Sequence, residues 1–247
     1  MSSTLPPLPT DLPVFLTPYL PPSPSPDNHN RWVTLTYAQS LDGRIAAARG
    51  TRTTLSHPQT KTMTHYIRSK HSAILVGVDT VLADDPSLNC RYGDDPSTTA
   101  IRPVIIDPHY RLKDHIPKLK VVINYKSGIS LKPLIIVSSL ITDTSNDDVD
   151  LLKVQPDPIS NYYLPWDNIF NALSNISLNT IMVEGGATII NRLLTSPHLV
   201  NSIIITIAPL YLGDNAVPVS PTSKVTLGNI SWWSGIQDSV LAANPTI

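Results

Sequence analysis

The chain has 247 residues, a formal net charge of −1 and a charged fraction of 15%. This balance excludes a nucleic-acid binder that relies on bulk positive charge, and it excludes a highly charged disordered protein. The single cysteine, Cys90, excludes an internal disulfide, a zinc site built on paired cysteines and the two-cysteine signature of zinc deaminases.

Residues 1–30 form a Pro-rich N-terminal arm, because nine of the 24 prolines precede Asn28. Such a composition favours an extended, polyproline-like backbone. The arm also carries an apolar patch: Val14, Phe15, Leu16, Tyr19 and Leu20. Two interpretations stay open, a simple tether and an arm docked on a surface of its own or a partner subunit. The arm has no Lys or Arg, and no apolar run approaches the roughly 18 residues of a membrane helix, so we expect a soluble, cytoplasmic protein.

Residues 31–247 are predicted to form a single domain in which strands and helices alternate. Apolar, β-branched runs predict strands at residues 32–38, 73–78, 103–106, 134–137, 180–183 and 202–208. Helical spacing predicts helices at residues 60–70 and 187–194, and the Trp-rich segment 230–242 predicts antiparallel strands at one edge. The expected fold is α/β, with a mostly parallel central sheet flanked by helices and antiparallel C-terminal strands.

Two glycines, Gly185 and Gly186, lie where a buried strand turns into a helix. Glycines let a ligand approach the backbone, and the free N–H groups of a helix start bind phosphate. Glu184 precedes them at the end of the strand, where α/β sheets bind ligands. A tight turn without a ligand is the competing interpretation, since this is not the dinucleotide fingerprint of the Rossmann fold.

A second polar segment, residues 77–86, also follows a buried strand. Thr80 and Asp84 offer a hydroxyl and a carboxylate that can bind a phosphate, an amide or a sugar hydroxyl, although Thr and Asp also cap helices.

Arg68 and Arg91 are candidate phosphate ligands because their planar forks suit a phosphate monoester. Ordinary surface positions are the alternative, and Arg44 and Arg52 are equally ambiguous. We predict no metal site, because the histidines His57, His65 and His71 have no carboxylate at metal-ligand spacing within the same helix.

Three ordered segments are more specific together than any one of them. They are LTYAQSLDGRI at residues 35–45, HYIR at 65–68 leading to ILVGVDTVLADDPSLNCR at 74–91, and MVEGGA at 182–187. In this order the chain resembles the riboflavin-biosynthesis reductases, a family with a dihydrofolate-reductase-like fold. The resemblance runs from Trp32 to Ile236, and DLPVFL at residues 11–16 is similar to the N-terminus of the fungal members.

The resemblance implies an NADPH-dependent reduction of a ribosylamino-pyrimidine 5′-phosphate, with hydride transfer to C1′ of the sugar. It implies a cofactor site formed by Ala38, Thr80, Asp84, Val154, Gly185, Gly186, Ala187 and Thr188. It implies a substrate site formed by Arg68, Leu88, Arg91 and Glu184, with the arginines at the phosphate. It identifies no catalytic acid or base, and it implies reductase activity without the zinc deaminase that bacterial relatives carry.

The resemblance also implies a homodimer, for which residues 203–207 and the C-terminal tryptophans are the predicted interface. Two alternatives stay open: a pterin reductase of the same fold, and a catalytically silent nucleotide-binding module that uses the arm for docking. The arginine pair favours the phosphorylated pyrimidine over dihydrofolate.

Overall fold

The computed structural model describes residues 5–22, 31–51, 53–93, 101–160 and 162–246. Its central feature is a nine-stranded sheet with the order β10-β11-β8-β1-β7-β3-β4-β5-β6. The strands of this sheet are β1 Trp32–Ser40, β3 Ala73–Gly77, β4 Arg102–Ile106, β5 Leu134–Ser138, β6 Asp150–Val154, β7 Thr180–Val183, β8 Ser202–Ala208, β10 Leu227–Ser234 and β11 Ser239–Pro245. Strands β2 Arg44–Ala46 and β9 Val217–Pro218 form a separate two-stranded ribbon.

The pairing confirms the predicted fold class. Every pair from β8 through β1, β7, β3, β4 and β5 to β6 is parallel, whereas β11 pairs antiparallel with β8 and β10 antiparallel with β11. The predicted segments 180–183, 187–194 and 202–208 coincide with β7, helix α6 and β8. The parallel strands are mostly apolar, since both faces of the sheet are covered.

Helices cover the two faces of the sheet. They are α1 Leu12–Leu16, α2 Pro58–Arg68, α3 Val78–Asp84, α4 Lys120–Lys126, α5 Trp166–Ser174 and α6 Ala187–Leu194. Side chains of β3 alternate between two cores: Ala73 and Leu75 pack with α5 and α6, and Ile74 and Val76 pack with α3 and α4. The sequence did not predict α3, α4, α5 or β6 because these segments are short or interrupted by polar residues.

The N-terminal arm is docked on its own chain over residues 5–22, so the docked interpretation describes this part of the arm. Leu12 and Leu16 are fully buried and pack against Met63 and Ile67 of α2. The prediction of an extended backbone is wrong here, since α1 and a 3₁₀ turn at Thr17–Tyr19 place these apolar side chains on one face.

The predicted interface strand also needs correction. Ile203, Ile204 and Ile205 are buried within the chain, because β8 lies between β1 and β11 and both its faces are covered. Of the two adjacent tryptophans of β10, Trp233 is buried and Trp232 is exposed.

Candidate active site

A cleft of about 1330 Å³ opens at the carboxyl ends of β1, β7 and β3. The chain leaves β1 towards α2 on one face of the sheet and leaves β7 towards α6 on the other, so these connections separate at this point. Such a divergence creates the crevice in which open α/β sheets bind ligands. Ala38 at the end of β1 forms part of the cleft wall.

One end of the cleft is formed by backbone at the start of α6. Gly186 is the N-cap residue of this helix and no side chain caps it, so first-turn N–H groups are available to a ligand. A Cβ on Gly186 would lie 3.2 Å from the Thr80 hydroxyl oxygen, which shows how closely α3 approaches this turn. A Cβ on Gly185 would lie 2.7 Å from the Ile189 side chain, so this glycine is required by packing.

Helix α3 supplies the polar side chains at the same end. Thr80 and Asp84 are one helical turn apart and both line the cleft. Oδ1 of Asp84 is buried and has no hydrogen-bond partner among the described residues. A buried carboxylate oxygen without a donor is costly, so this atom is suited to accept a hydrogen bond from a ligand.

The other end of the cleft is built around an ion pair between Arg68 and Glu184. Nε and Nη2 of Arg68 donate to the two carboxylate oxygens of Glu184 at 2.7 and 2.6 Å, and Nη1 donates to the Asn89 carbonyl at 2.8 Å. Burial alone would lower the pKa of the Arg68 guanidinium, but the carboxylate of Glu184 offsets this effect and raises it. The guanidinium therefore fixes the Glu184 carboxylate at the cleft wall.

Arg91 lies beside His65 at this end. Its backbone N is 3.1 Å from Nδ1 of His65, and its Nε and Nη2 are 3.2 and 3.0 Å from Nε2. Burial, reinforced by the charges of Arg68 and Arg91, lowers the pKa of His65 to about 3, so the imidazole is neutral.

Sequence reasoning identified Arg68 but missed the rest of the polar face of α2. Lys61, Thr64, His65 and Arg68 all line the cleft, and they recur at the i, i+3, i+4, i+7 spacing of one helix face. The same spacing can be read from the sequence, where it indicates one polar face of a helix. The opposite face of the helix carries Met63 and Ile67, which contact the N-terminal arm.

The structure brings eleven of the twelve predicted site residues to this one cleft: Ala38, Arg68, Thr80, Asp84, Leu88, Arg91, Glu184, Gly185, Gly186, Ala187 and Thr188. Leu88 adopts a left-handed backbone with φ of 42°, an uncommon conformation for a branched side chain that marks a constrained loop. Val154 does not line the cleft, because its side chain is buried in the core at the end of β6. We do not retain it as a cofactor contact.

The sequence left the roles of Arg44 and Arg52 open, and the structure describes only the first of them. Arg44 lies on the β2–β9 ribbon, where it donates to the Ala216 carbonyl and pairs with Asp214, and it is absent from the cleft wall. Arg52 lies outside the described residues. Within the described ranges, no group of three His, Cys, Asp or Glu side chains could hold a metal ion.

Comparison with known proteins identifies relatives over nearly the whole chain. The RibD C-terminal domain family matches residues 31–241. A 2,5-diamino-6-ribosylamino-4(3H)-pyrimidinone 5′-phosphate reductase of Debaryomyces hansenii is 44% identical over 97% of this chain and 98% of its own length. The reductase of the same name from Saccharomyces cerevisiae is 43% identical over the same shares of the two chains.

A solved structure shows the same likeness in three dimensions. The Saccharomyces cerevisiae riboflavin biosynthesis reductase Rib7 superposes on this chain with a TM-score of 0.80 at 39% identity. The superposition covers 96% of this chain and 100% of that protein, so the two chains share one fold over nearly their whole length.

Proposed function

The chain belongs to the RibD C-terminal domain family, and from this membership we propose that NADPH and a phosphorylated pyrimidine meet in the cleft. The chain is a reductase of riboflavin biosynthesis that converts 2,5-diamino-6-ribosylamino-4(3H)-pyrimidinone 5′-phosphate to its ribitylamino form. One observation carries the proposal: a single cleft joins a backbone anion site to a charged pocket.

The residues at the α6 end fit a nicotinamide dinucleotide. The uncapped helix start at Gly186, Ala187 and Thr188 would hold the pyrophosphate through N–H groups and the positive end of the helix dipole. The buried Oδ1 of Asp84 would accept a hydrogen bond from an amide or hydroxyl of the cofactor. NADPH, when bound, supplies the hydride that C1′ of the ring-opened sugar accepts, while the imine nitrogen takes up one proton.

The residues at the α2 end fit the pyrimidine substrate. Glu184, held by Arg68, would accept hydrogen bonds from amino groups of the pyrimidine or hydroxyls of the sugar. Arg91 is an exposed residue beside His65, and its guanidinium suits the 5′-phosphate. The protein would contribute chiefly by orienting the two reactants, since proximity and alignment supply a large part of such a rate.

An activity measurement tests this assignment. Purified protein is mixed with NADPH and the ribosylamino pyrimidine phosphate, and cofactor oxidation is followed together with the mass of the product. We expect NADPH to be oxidised and the product to be heavier than the substrate by two hydrogens. When the cofactor is deuterated at C4, we expect one deuterium at C1′ of the product. Folded protein that oxidises no NADPH with this substrate would contradict the proposal, and turnover of dihydrofolate instead would indicate a pterin reductase.

We extend the proposal to a cytoplasmic homodimer without a nucleic-acid or membrane partner. Edge strand β10 supports association, because it exposes Ile230 and Trp232 beside an unpaired strand edge. Among the helices of the described residues, none is both long and apolar enough to cross a membrane. Sedimentation of the purified protein as a monomer at micromolar concentration would contradict the dimer.

A further inference from the structure

His65 lies at the charged end of the cleft with an N–H donor facing each of its ring nitrogens. The backbone N–H of Arg91 faces Nδ1 at 3.1 Å, and the guanidinium of Arg91 faces Nε2 at 3.0 and 3.2 Å. His65 is 6% exposed and forms part of the cleft wall.

A neutral imidazole cannot accept at both positions. It carries one lone pair and one N–H, so one of its nitrogens must itself be a donor. The low pKa of His65, about 3, keeps the ring neutral throughout the physiological range. Whichever tautomer forms, one ring N–H faces another N–H, so that ring N–H has no acceptor in these contacts among the described residues.

The backbone decides which tautomer a ligand selects. The N–H of Arg91 follows the buried Cys90 and cannot turn away, so Nδ1 is best used as its acceptor. Nε2 then carries the proton and points towards the guanidinium of Arg91. That guanidinium ends an exposed side chain and can rotate, so an anion with only acceptor atoms can be held by the ring N–H and the guanidinium together.

We propose that His65 binds the 5′-phosphate of the substrate through its neutral Nε2–H, beside the guanidinium of Arg91. The inference rests on the proposed function for the identity of the substrate, and it assigns to α2 a phosphate ligand whose tautomer is fixed by a backbone N–H. The remaining cations on this face of the cleft, Lys61 and Arg68, add favourable potential without being required to touch the phosphate.

Two substitutions separate the two ring nitrogens. The amide of Asn reaches the position of Nδ1, whereas the amide of Gln reaches that of Nε2. His65→Asn therefore keeps the acceptor for the Arg91 backbone and loses the phosphate donor, and His65→Gln keeps a donor for the phosphate. KM is measured for the phosphorylated substrate and for its dephosphorylated analogue.

We expect His65→Asn to reduce the preference for the phosphorylated substrate, measured as the ratio of the two KM values, by about 10-fold or more. This is the size expected for one hydrogen bond to a charged group. We expect His65→Gln to retain most of this preference. The control variant His115→Asn, at an exposed position, should retain all of it. Equal KM changes for both substrates, or a larger loss of preference in His65→Gln than in His65→Asn, would overturn the inference.

A binding measurement keeps this inference separate from the proposed function. Ribose 5-phosphate is titrated calorimetrically into the wild-type protein and into His65→Asn. Wild-type protein that binds ribose 5-phosphate about 10-fold more tightly than His65→Asn, yet reduces no pyrimidine, would refute the proposed function and support the phosphate site. If the wild-type protein reduces the pyrimidine but both proteins bind ribose 5-phosphate equally, the proposed function is supported and the phosphate site at His65 is refuted.

Discussion

The two ends of the cleft are built in different ways. The α6 end consists mainly of backbone, with Gly186 as an uncapped helix start and Thr80 packed closely against it. The α2 end consists of charged side chains, among which Arg68 and Glu184 form a bidentate pair between residues 116 positions apart.

This difference indicates how each end tolerates change. A backbone site is insensitive to most substitutions, and it is blocked when a side chain introduces volume or negative charge where an anion should bind. A site of paired side chains fails when either partner is removed, because the remaining charge stays buried without compensation. Substitutions at the two ends should therefore impair binding of different reactants.

The largest effect is expected for Arg68→Ala at the charged end. The two side chains are only 13% and 21% exposed, so the substitution leaves the Glu184 carboxylate without its counter-ion. Removing one partner of a buried pair destabilises the folded protein by about 3–5 kcal/mol. Separately, Glu184 loses the group that holds it in place, so we expect kcat/KM for the pyrimidine to decrease by about 10²- to 10³-fold. Steady-state kinetics measure this decrease, and we expect the Kd of NADPH to change less than threefold.

A matched control is Arg102→Ala. Arg102 pairs with Asp150 between β4 and β6, is partly shielded and lies outside the cleft wall, although Asp150 also keeps a pairing with Lys132 at 2.9 Å. We expect it to lower stability without selective loss of pyrimidine turnover. If Arg68→Ala weakened NADPH binding as strongly as pyrimidine turnover, the division of the cleft into two ends would be wrong.

The next largest effect is expected for Gly186→Asp at the backbone end. A carboxylate at this position would face the site proposed for the pyrophosphate, and we expect the Kd of NADPH to increase about 100-fold, measured by fluorescence titration. Asp is a favourable N-cap residue, so the helix itself should remain folded. Gly186→Ala is the control, since its Cβ would meet only the Thr80 hydroxyl oxygen at 3.2 Å. Unchanged NADPH affinity in Gly186→Asp would refute the phosphate assignment.

A smaller effect is expected for Asp84→Asn. Asp84 is the last residue of α3, where a negative charge opposes the helix dipole, and its Oδ1 is buried without a partner among the described residues. Neutralising it should raise the melting temperature of the ligand-free protein and weaken NADPH binding about 10-fold. A lower melting temperature with unchanged NADPH affinity would show that Asp84 has a structural role only.

The sequence predicted the backbone end better than the charged end. The strand before Gly185 and the helix after Gly186 follow from an apolar run, two glycines and helical spacing, all of which are local features. The requirement for glycine at position 185 was not predictable from the sequence, because it arises from the Ile189 side chain, which packs against the turn.

At the charged end, both Arg68 and Glu184 were predicted as substrate contacts, but their pairing was not. The pair forms because β7 is inserted between β1 and β3, a topological event that no local pattern encodes. His65 was considered only as a possible metal ligand, since its contacts come from the loop around Arg91, 26 residues further along the chain. Long-range contacts of this kind account for most of what sequence reasoning missed.

The smallest effect at neutral pH is expected for substitution of His71. This substitution tests how α2, which carries the charged end of the cleft, is held against the sheet. Its Nδ1–H donates to the Ile67 carbonyl of α2 at 2.8 Å, and its Nε2 accepts from the Thr34 hydroxyl of β1 at 2.8 Å. Burial lowers the pKa of His71 to about 4 although the Ile67 carbonyl and Glu184 both favour its charged form. A proton on Nε2 would face a hydroxyl that already serves as acceptor for Trp32 and Ser202, and the link between α2 and β1 would break.

The sign of the pH dependence follows from this depressed pKa. Between pH 6.5 and pH 4 the unfolded chain binds a proton at His71 and the folded protein does not, so the free energy of unfolding falls as the pH is lowered. The change from 6.5 to about 4 corresponds to about 3 kcal/mol, and His65 adds to the same loss. Denaturant unfolding at a series of pH values gives the free energy of unfolding as a function of pH. This free energy should fall less steeply with decreasing pH in His71→Gln, which keeps an acceptor for Thr34 but does not titrate. An unchanged slope would mean that the acid sensitivity arises elsewhere and that α2 is not held to the sheet through a neutral His71.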